Sequence, residues 1–274
     1  MSDCCSCPSS EPSPELTSTP APLTQEELHE LCMVAVGKYG HTIFKCPIKT
    51  YSLFLEAVKT CGYVIQDCNE QTDELCLAAV KTWGYSLEYV KNKTREICLA
   101  AVNESGSALQ YVDDQDEEIC LAAVRNTPWA MEHVKNPTPL ICLEAVKTGG
   151  IALVDVPPEL QTEEMCWIAV RAKPKALRWA KYRPYALCLE AVKMNGKALQ
   201  FVDEQTEELC LIAVKGKGMA LKYVKEQTDE ICLEAVKQCG LALQFVKKKT
   251  FQICMEAVKQ DGFAIEYVRQ LASE

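Results

Sequence analysis

Long apolar runs are missing from this chain. None approaches the roughly 18 residues that a membrane-spanning helix needs, so no span across a bilayer is expected. Positive charge is also short. Against 38 Asp and Glu stand only 29 Lys and Arg, which leaves a formal net charge of −9. That balance argues against general nucleic-acid binding, which needs a basic footprint to displace counterions from phosphates. Histidine is scarcer still. His29, His41 and His133 share no spacing with a nucleophile that would mark a catalytic pair. Gly216-Lys217-Gly218 lacks the further glycines and the Ser or Thr of a phosphate loop. A non-enzymatic protein with no cofactor and no metal is therefore expected. The first residues have neither the basic start nor the apolar core of a signal peptide, so an intracellular, cytoplasmic location is expected as well.

Repetition is what the chain has in abundance. The phrase Glu230-Ile231-Cys232-Leu233-Glu234-Ala235-Val236-Lys237 returns with its cysteine at Cys32, Cys76, Cys98, Cys120, Cys142, Cys166, Cys188, Cys210 and Cys254. Phe54 takes the cysteine's place in one further copy. The step is 22 residues, except for 24 between Cys142 and Cys166. A fixed period in the twenties marks a solenoid, in which each repeat buries its apolar face only against its neighbours. The expected fold is an all-α solenoid, an α-α superhelix of about eleven 22-residue helix–turn–short-helix repeats, over residues 24–274. Ahead of it lies a Ser-, Pro- and Thr-rich stretch, 1–23, that reads as a disordered tail. The first two copies, 24–69, are irregular and read as caps.

Each repeat follows one grammar. Thr stands four residues before the cysteine in eight copies, for example Thr72 and Thr228, and Asp116 does so once. A side-chain oxygen there suits a helix N-cap, and the acidic residues that follow suit the helix dipole. Ala and Val lie three and four residues past the cysteine in all eleven copies, which suggests that neighbouring helices approach too closely there for anything larger. A basic residue follows the valine in nine copies and reads first as a complement to the helix C-terminus. Glycine comes eight past the cysteine in nine copies, with Pro128 and Pro174 in the same slot. A glycine there either caps the helix or opens the second helix, where proline is welcome, and the sequence leaves both readings open. The second element, as in Ala108-Leu109-Gln110-Tyr111-Val112, is short enough to be 3₁₀ in part. Eleven units at roughly 10 Å each would make a curved rod approaching about 100 Å. Added residues near Pro157 and Pro158 predict a longer loop with a local kink.

Ten of the seventeen cysteines share one position in successive repeats. Stacked helices lie roughly 8–10 Å apart, too far for the Cα separation of a disulfide. They read as small buried hydrophobes in a reducing compartment.

The pattern Cys-Leu-x-Ala-Val, then Gly-x-Ala-Leu-x-(Phe/Tyr)-Val, then Gln-Thr-x-Glu resembles the domain-of-unknown-function 4116 repeat, best over residues 70–268. Such repeats occur in large DNA viruses of protists, in protists and algae, and in some bacteria. The resemblance implies the helical-repeat architecture and hints at a protist or viral origin. It implies no activity and transfers no functional residues.

Three features are candidates for function. Thirteen residues past their cysteines stand Tyr89, Tyr111, Trp179, Phe201, Tyr223, Phe245 and Tyr267, with His133 among them. Such a column is either a surface of aromatic anchors or the edge of the core, and the free exchange of Phe, Tyr and Trp favours the core. The seventh repeat gathers Arg171, Lys173, Lys175, Arg178, Lys181 and Arg183 without an acid, beside Trp179. In an acidic protein this reads as a candidate docking patch for a protein partner with an acidic segment, weighed against a merely solvated face. Cys4, Cys5 and Cys7 are candidates for acylation, the sole route to a membrane here. The function expected is a protein–protein interaction scaffold, or a structural part of a larger assembly such as a virus particle. A membrane-tethered adaptor and a nucleic-acid-binding solenoid are the alternatives.

Overall fold

The structure, a computed structural model, describes residues 22–268. Among them eleven α-helices alternate with eleven 3₁₀ segments, and there is no strand. The α-helices are α1 Gln25–Lys38, α2 Tyr51–Val58, α3 Asp73–Thr82, α4 Arg95–Glu104, α5 Glu117–Asn126, α6 Pro139–Thr148, α7 Glu163–Ala172, α8 Tyr185–Met194, α9 Glu207–Gly216, α10 Asp229–Gln238 and α11 Phe251–Gln260. The tail expected over 1–23 lies outside the described residues except for Pro22 and Leu23, and so do Cys4, Cys5 and Cys7.

The helices start where the caps predict. Backbone N–H groups donate to the capping oxygens, as Leu75 does to Thr72 at 3.3 Å and Ile119 to Asp116 at 2.8 Å. Each such cap stabilises its helix by about 1 kcal/mol. α8 is the exception, opening on Pro184 without a side-chain cap. α1 has a full capping box, in which Thr24 and Glu27 bond each other's backbone. Those bonds, to the backbone first, hold the Glu27 carboxyl below its usual range.

All the helices but α2, which closes on a helical Lys59, also end in one way. Trp83 donates its N–H to the Ala79 carbonyl at 2.9 Å and then turns extended, at φ −155° and ψ 105°. Gly84 is the next residue and opens the 3₁₀ segment Gly84–Tyr89. Of the two readings of the glycine, the second holds: it stands first in the short helix. Pro128 and Pro174 take the same place, where a proline has no N–H to lose. All eleven second elements are 3₁₀ throughout, more than the partial 3₁₀ character expected.

What selects glycine is the next repeat. A Cβ on Gly84 would lie 2.6 Å from the carbonyl oxygen of Ala101, and one on Gly218 would lie 2.4 Å from that of Ala235. These alanines are the ones kept three past the cysteine, and they are fully buried. Where Pro128 replaces glycine, its ring meets Gly149, whose own Cβ would fall 2.8 Å from it. One missing methyl has moved to the opposite side of the junction.

Along the solenoid the core is continuous. From each of α2 to α10 the residue before the cysteine position, the cysteine position, the alanine and the valine are buried, as in Leu75, Cys76, Ala79 and Val80, whereas at the two ends Leu31 is exposed and Ala35 and Val258 are half-buried. The short helix adds residues such as Ala108, Leu109 and Val112. Burying one such Leu or Ile side chain stabilises the fold by about 1.5–3 kcal/mol. Ser86 replaces the usual alanine, and its hydroxyl is buried without a partner. Every element packs only within its own repeat and against the adjacent ones.

Side-chain amides lace the repeats together. Gln71 donates from Nε2 to the carbonyls of Ile65 (3.2 Å) and Tyr89 (2.9 Å), while its Oε1 accepts from the Lys91 N–H at 2.9 Å. Gln115 and Gln205 repeat the pattern, and Lys93 and Lys249 reach the equivalent carbonyls with Nζ. At the two-residue insertion Gln161 is buried and donates to Leu153 and Val156. The longer loop there is real, and the core resumes at once with Met165 and Cys166.

Candidate functional site

The short helices form one side of the solenoid, and aromatic rings mark it. Phe44 lies 5.8 Å from Tyr63, Tyr63 lies 6.2 Å from Trp83, Trp83 lies 5.8 Å from Tyr85, and Tyr85 lies 6.1 Å from Tyr111, all between ring centroids. These rings come from four places in the repeat: seven, nine, twelve and thirteen residues past the cysteine position. Their contacts place all four columns on one face. Trp83 is 40% exposed, so the run is open to partners. Sequence reasoning considered only the thirteenth column. The signal it passed over was the density of rings in the early repeats, Tyr63, Trp83 and Tyr85.

Within the thirteenth column itself the rings are half-buried and pack against the core, from Tyr89 to Tyr267. They finish the core edge as well as flooring the face. His133 holds its place in the column with Nε2 3.5 Å from Glu132 Oε1. Asp155 follows in the next repeat with a buried, unpartnered Oδ2. Burial pushes the Asp155 carboxyl above its usual range, Glu132 adds to this, and His133 opposes it.

The seven residues singled out in the seventh repeat do not form one patch. Arg171 lies on the α-helix side, its guanidinium 5.0 Å from the Trp167 ring and 3.8 Å from Glu190. Arg183 is tied into the loop, donating from Nε to the Ala180 carbonyl at 2.8 Å and from Nη1 to Asp203 at 3.0 Å. Lys181 leans on Tyr182 at 5.2 Å. Lys173, Lys175 and Arg178 stay exposed on the short-helix face, with Arg178 6.0 Å from the half-buried Trp179. Neighbours in sequence separate here because thirteen residues cross a helix, a 3₁₀ segment and a loop, each facing its own way.

The cysteine ladder is chemically quiet. All the described cysteines are free thiols. Burial pushes the Cys76, Cys142 and Cys232 thiols up to about 11 from an ordinary 9.0, with Asp73 and Asp229 adding to the shift at Cys76 and Cys232. At neutral pH they are protonated and poor nucleophiles. No group of three or more metal-ligating side chains occurs among the described residues. No helix among them is long and apolar enough to cross a membrane. The basic residue after the valine does more than meet the helix dipole. Arg125 reaches Glu144 of the next repeat at 3.0 Å, and with Lys147 it holds that carboxyl below its usual range.

A family model described as a domain of unknown function, DUF4116, matches residues 94–136, 187–227 and 228–270. The chain carries DUF4116 repeats. Each match takes in about two of the structural units. The unmatched interval between the first two, 137–186, holds the two-residue insertion, the cationic seventh repeat and the uncapped start of α8. The DUF4116 description assigns no activity. No curated protein and no solved structure matches the chain.

Proposed function

We propose that this chain is a non-enzymatic protein–protein interaction scaffold whose working surface is the face of the short helices. It serves in the cytoplasm or as a structural part of a larger assembly such as a virus particle. The observation that carries the reading is the contiguous run from Phe44 through Tyr63, Trp83 and Tyr85 to Tyr111, which offers aromatic anchors across four repeats. Large, rigid rings of this kind dominate protein interfaces because they bury much area at little entropic cost. The quiet thiols and the scattered histidines support a binding role over a catalytic one.

Site-specific photo-crosslinking tests it. The purified chain would carry a photoreactive side chain at position 83, on the short-helix face, or at position 81, exposed at the end of α3. Incubated with extract of the native source, the first should give a discrete protein adduct and the second should not. Equal labelling at both positions, or none at either, would overturn the assignment of the face.

A further inference from the structure

Three of these columns, the seventh, ninth and twelfth, carry rings in the first three repeats and cations in the seventh to ninth. Lys173 and Lys217 stand seven residues past their cysteines, Lys175 and Lys197 nine, and Arg178 and Lys222 twelve. All six are exposed, and none has an ion-pair partner among the described residues. The remaining places in these columns are Asn195, Met219 and Gln200, so no acid interrupts the strip. Half-buried Trp179, Phe201 and Tyr223 lie beneath it, and Lys222 Nζ sits 6.0 Å from the Phe245 ring. In a chain of net charge −9 this is a cationic strip built from three separate repeats, and half of it lies outside the seventh.

Its borders are acidic. On the same face Glu132, in the fifth repeat, precedes it, and Asp261 and Glu266, in the eleventh, follow it. A long polyanion laid along the face would run onto carboxylates at both ends, whereas a short acidic segment would not. Nucleic acid, whose binding grows with the number of phosphates neutralised, gains little from so bounded a strip.

We propose that this strip binds an acidic protein segment in extended conformation, with a carboxylate at about every third residue. The inference rests on the scaffold reading above and names the partner class for one part of its face. The spacing follows from two repeats that match. Successive repeats stack roughly 8–10 Å apart, and a polyproline-type or extended chain advances about 9–10 Å per three residues. One carboxylate then meets the cations of each successive repeat, first Lys173, Lys175 and Arg178, then Lys197, then Lys217 and Lys222, and the lysine stems lie along the rings while their charged ends reach the partner. Charge complementarity of this kind selects the partner and speeds encounter.

The probe is a synthetic peptide of about twelve residues with Asp at every third position on a Gly/Ser background. Its binding to the full chain would be followed by fluorescence anisotropy. A peptide of the same composition with its Asp residues in one block and an oligouridine of equal length serve as comparators. Lys175→Glu/Arg178→Glu/Lys197→Glu is the test variant, Arg171→Glu on the α-helix side is the control, and thermal melts establish that both fold. The spaced peptide should bind more tightly than either comparator and lose affinity as salt rises. The triple variant should weaken it about tenfold or more, and Arg171→Glu should leave it unchanged. Equal binding by parent and triple variant, tighter binding of the oligouridine, or no binding of the peptide to the parent would each overturn the proposal. Crosslinking at position 83 reads a different part of the face, so a discrete adduct there beside a failed peptide would overturn this inference alone.

Discussion

A cysteine in each of ten repeats is the residue-scale signature of this chain, and its environment makes a prediction about pH. The Cys76, Cys142 and Cys232 thiols ionise near 11 in the folded chain, against 9.0 ordinarily, because burial disfavours the thiolate. Between those values the folded protein holds protons that the unfolded chain has released. Stability is therefore full below pH 9.0 and falls as pH rises toward 11. Thermal midpoints measured across that window should drop steeply for the parent. Replacement of the three cysteines by Ala lowers the midpoint everywhere but should flatten the slope. Equal slopes would refute the account. Burial was legible from sequence, since a cysteine repeated with the helical apolar positions has no other consistent place. The use of glutamine was not. Gln71 and Gln205 lie in a stretch that reads as a loop, and their bonds run to backbone carbonyls of two different repeats, which a linear pattern does not display.

At the scale of elements the junction between a short helix and the next α-helix is the most demanding contact. It is a meeting of glycine Cα with alanine carbonyl, so a methyl on the glycine is resisted by backbone. Gly218→Ala should cost about 1–3 kcal/mol, by overpacking against the Ala235 oxygen 2.4 Å away. Gly262 holds the same place in the last repeat, where a Cβ would meet nothing within 4 Å, so Gly262→Ala should be nearly neutral. Chemical denaturation of the two variants checks the pair, and equal losses would show that contact with the next repeat's carbonyl is not what selects glycine. The sequence showed that glycine recurs, and Pro128 and Pro174 showed that a positive φ is not required. It did not show what the glycine faces, because that partner lies seventeen residues ahead in another helix, as Ala235 does from Gly218. The grouping of ring columns was hidden for a related reason. An extended residue followed by a 3₁₀ turn breaks the 3.6-residue period, so positions seven, nine, twelve and thirteen share a face that no helical wheel predicts.

For the whole molecule the repeats settle architecture far better than chemistry. Period, caps and core positions were legible because each unit states them again, and the structure follows them through the two-residue insertion. The candidate site was legible only in part. The seventh repeat's cations stood out by composition, yet Arg171 and Arg183 are drawn off to Glu190 and Asp203, and Lys197, Lys217 and Lys222 join the face from repeats that look ordinary in sequence. A surface on such a solenoid is written across repeats. It depends on columns that neighbour-only packing keeps in line. In a solenoid of this kind stability is a sum of repeat and junction contributions, so a unit should be removable. Excision of residues 207–228 joins Thr206 to Asp229 and restores a Thr cap before α10. Equilibrium urea unfolding of that shortened chain is the most direct test. The account predicts a folded, helical protein with a cooperative transition and a denaturant slope reduced by about one tenth. A chain that fails to fold, or unfolds without a transition, would contradict it.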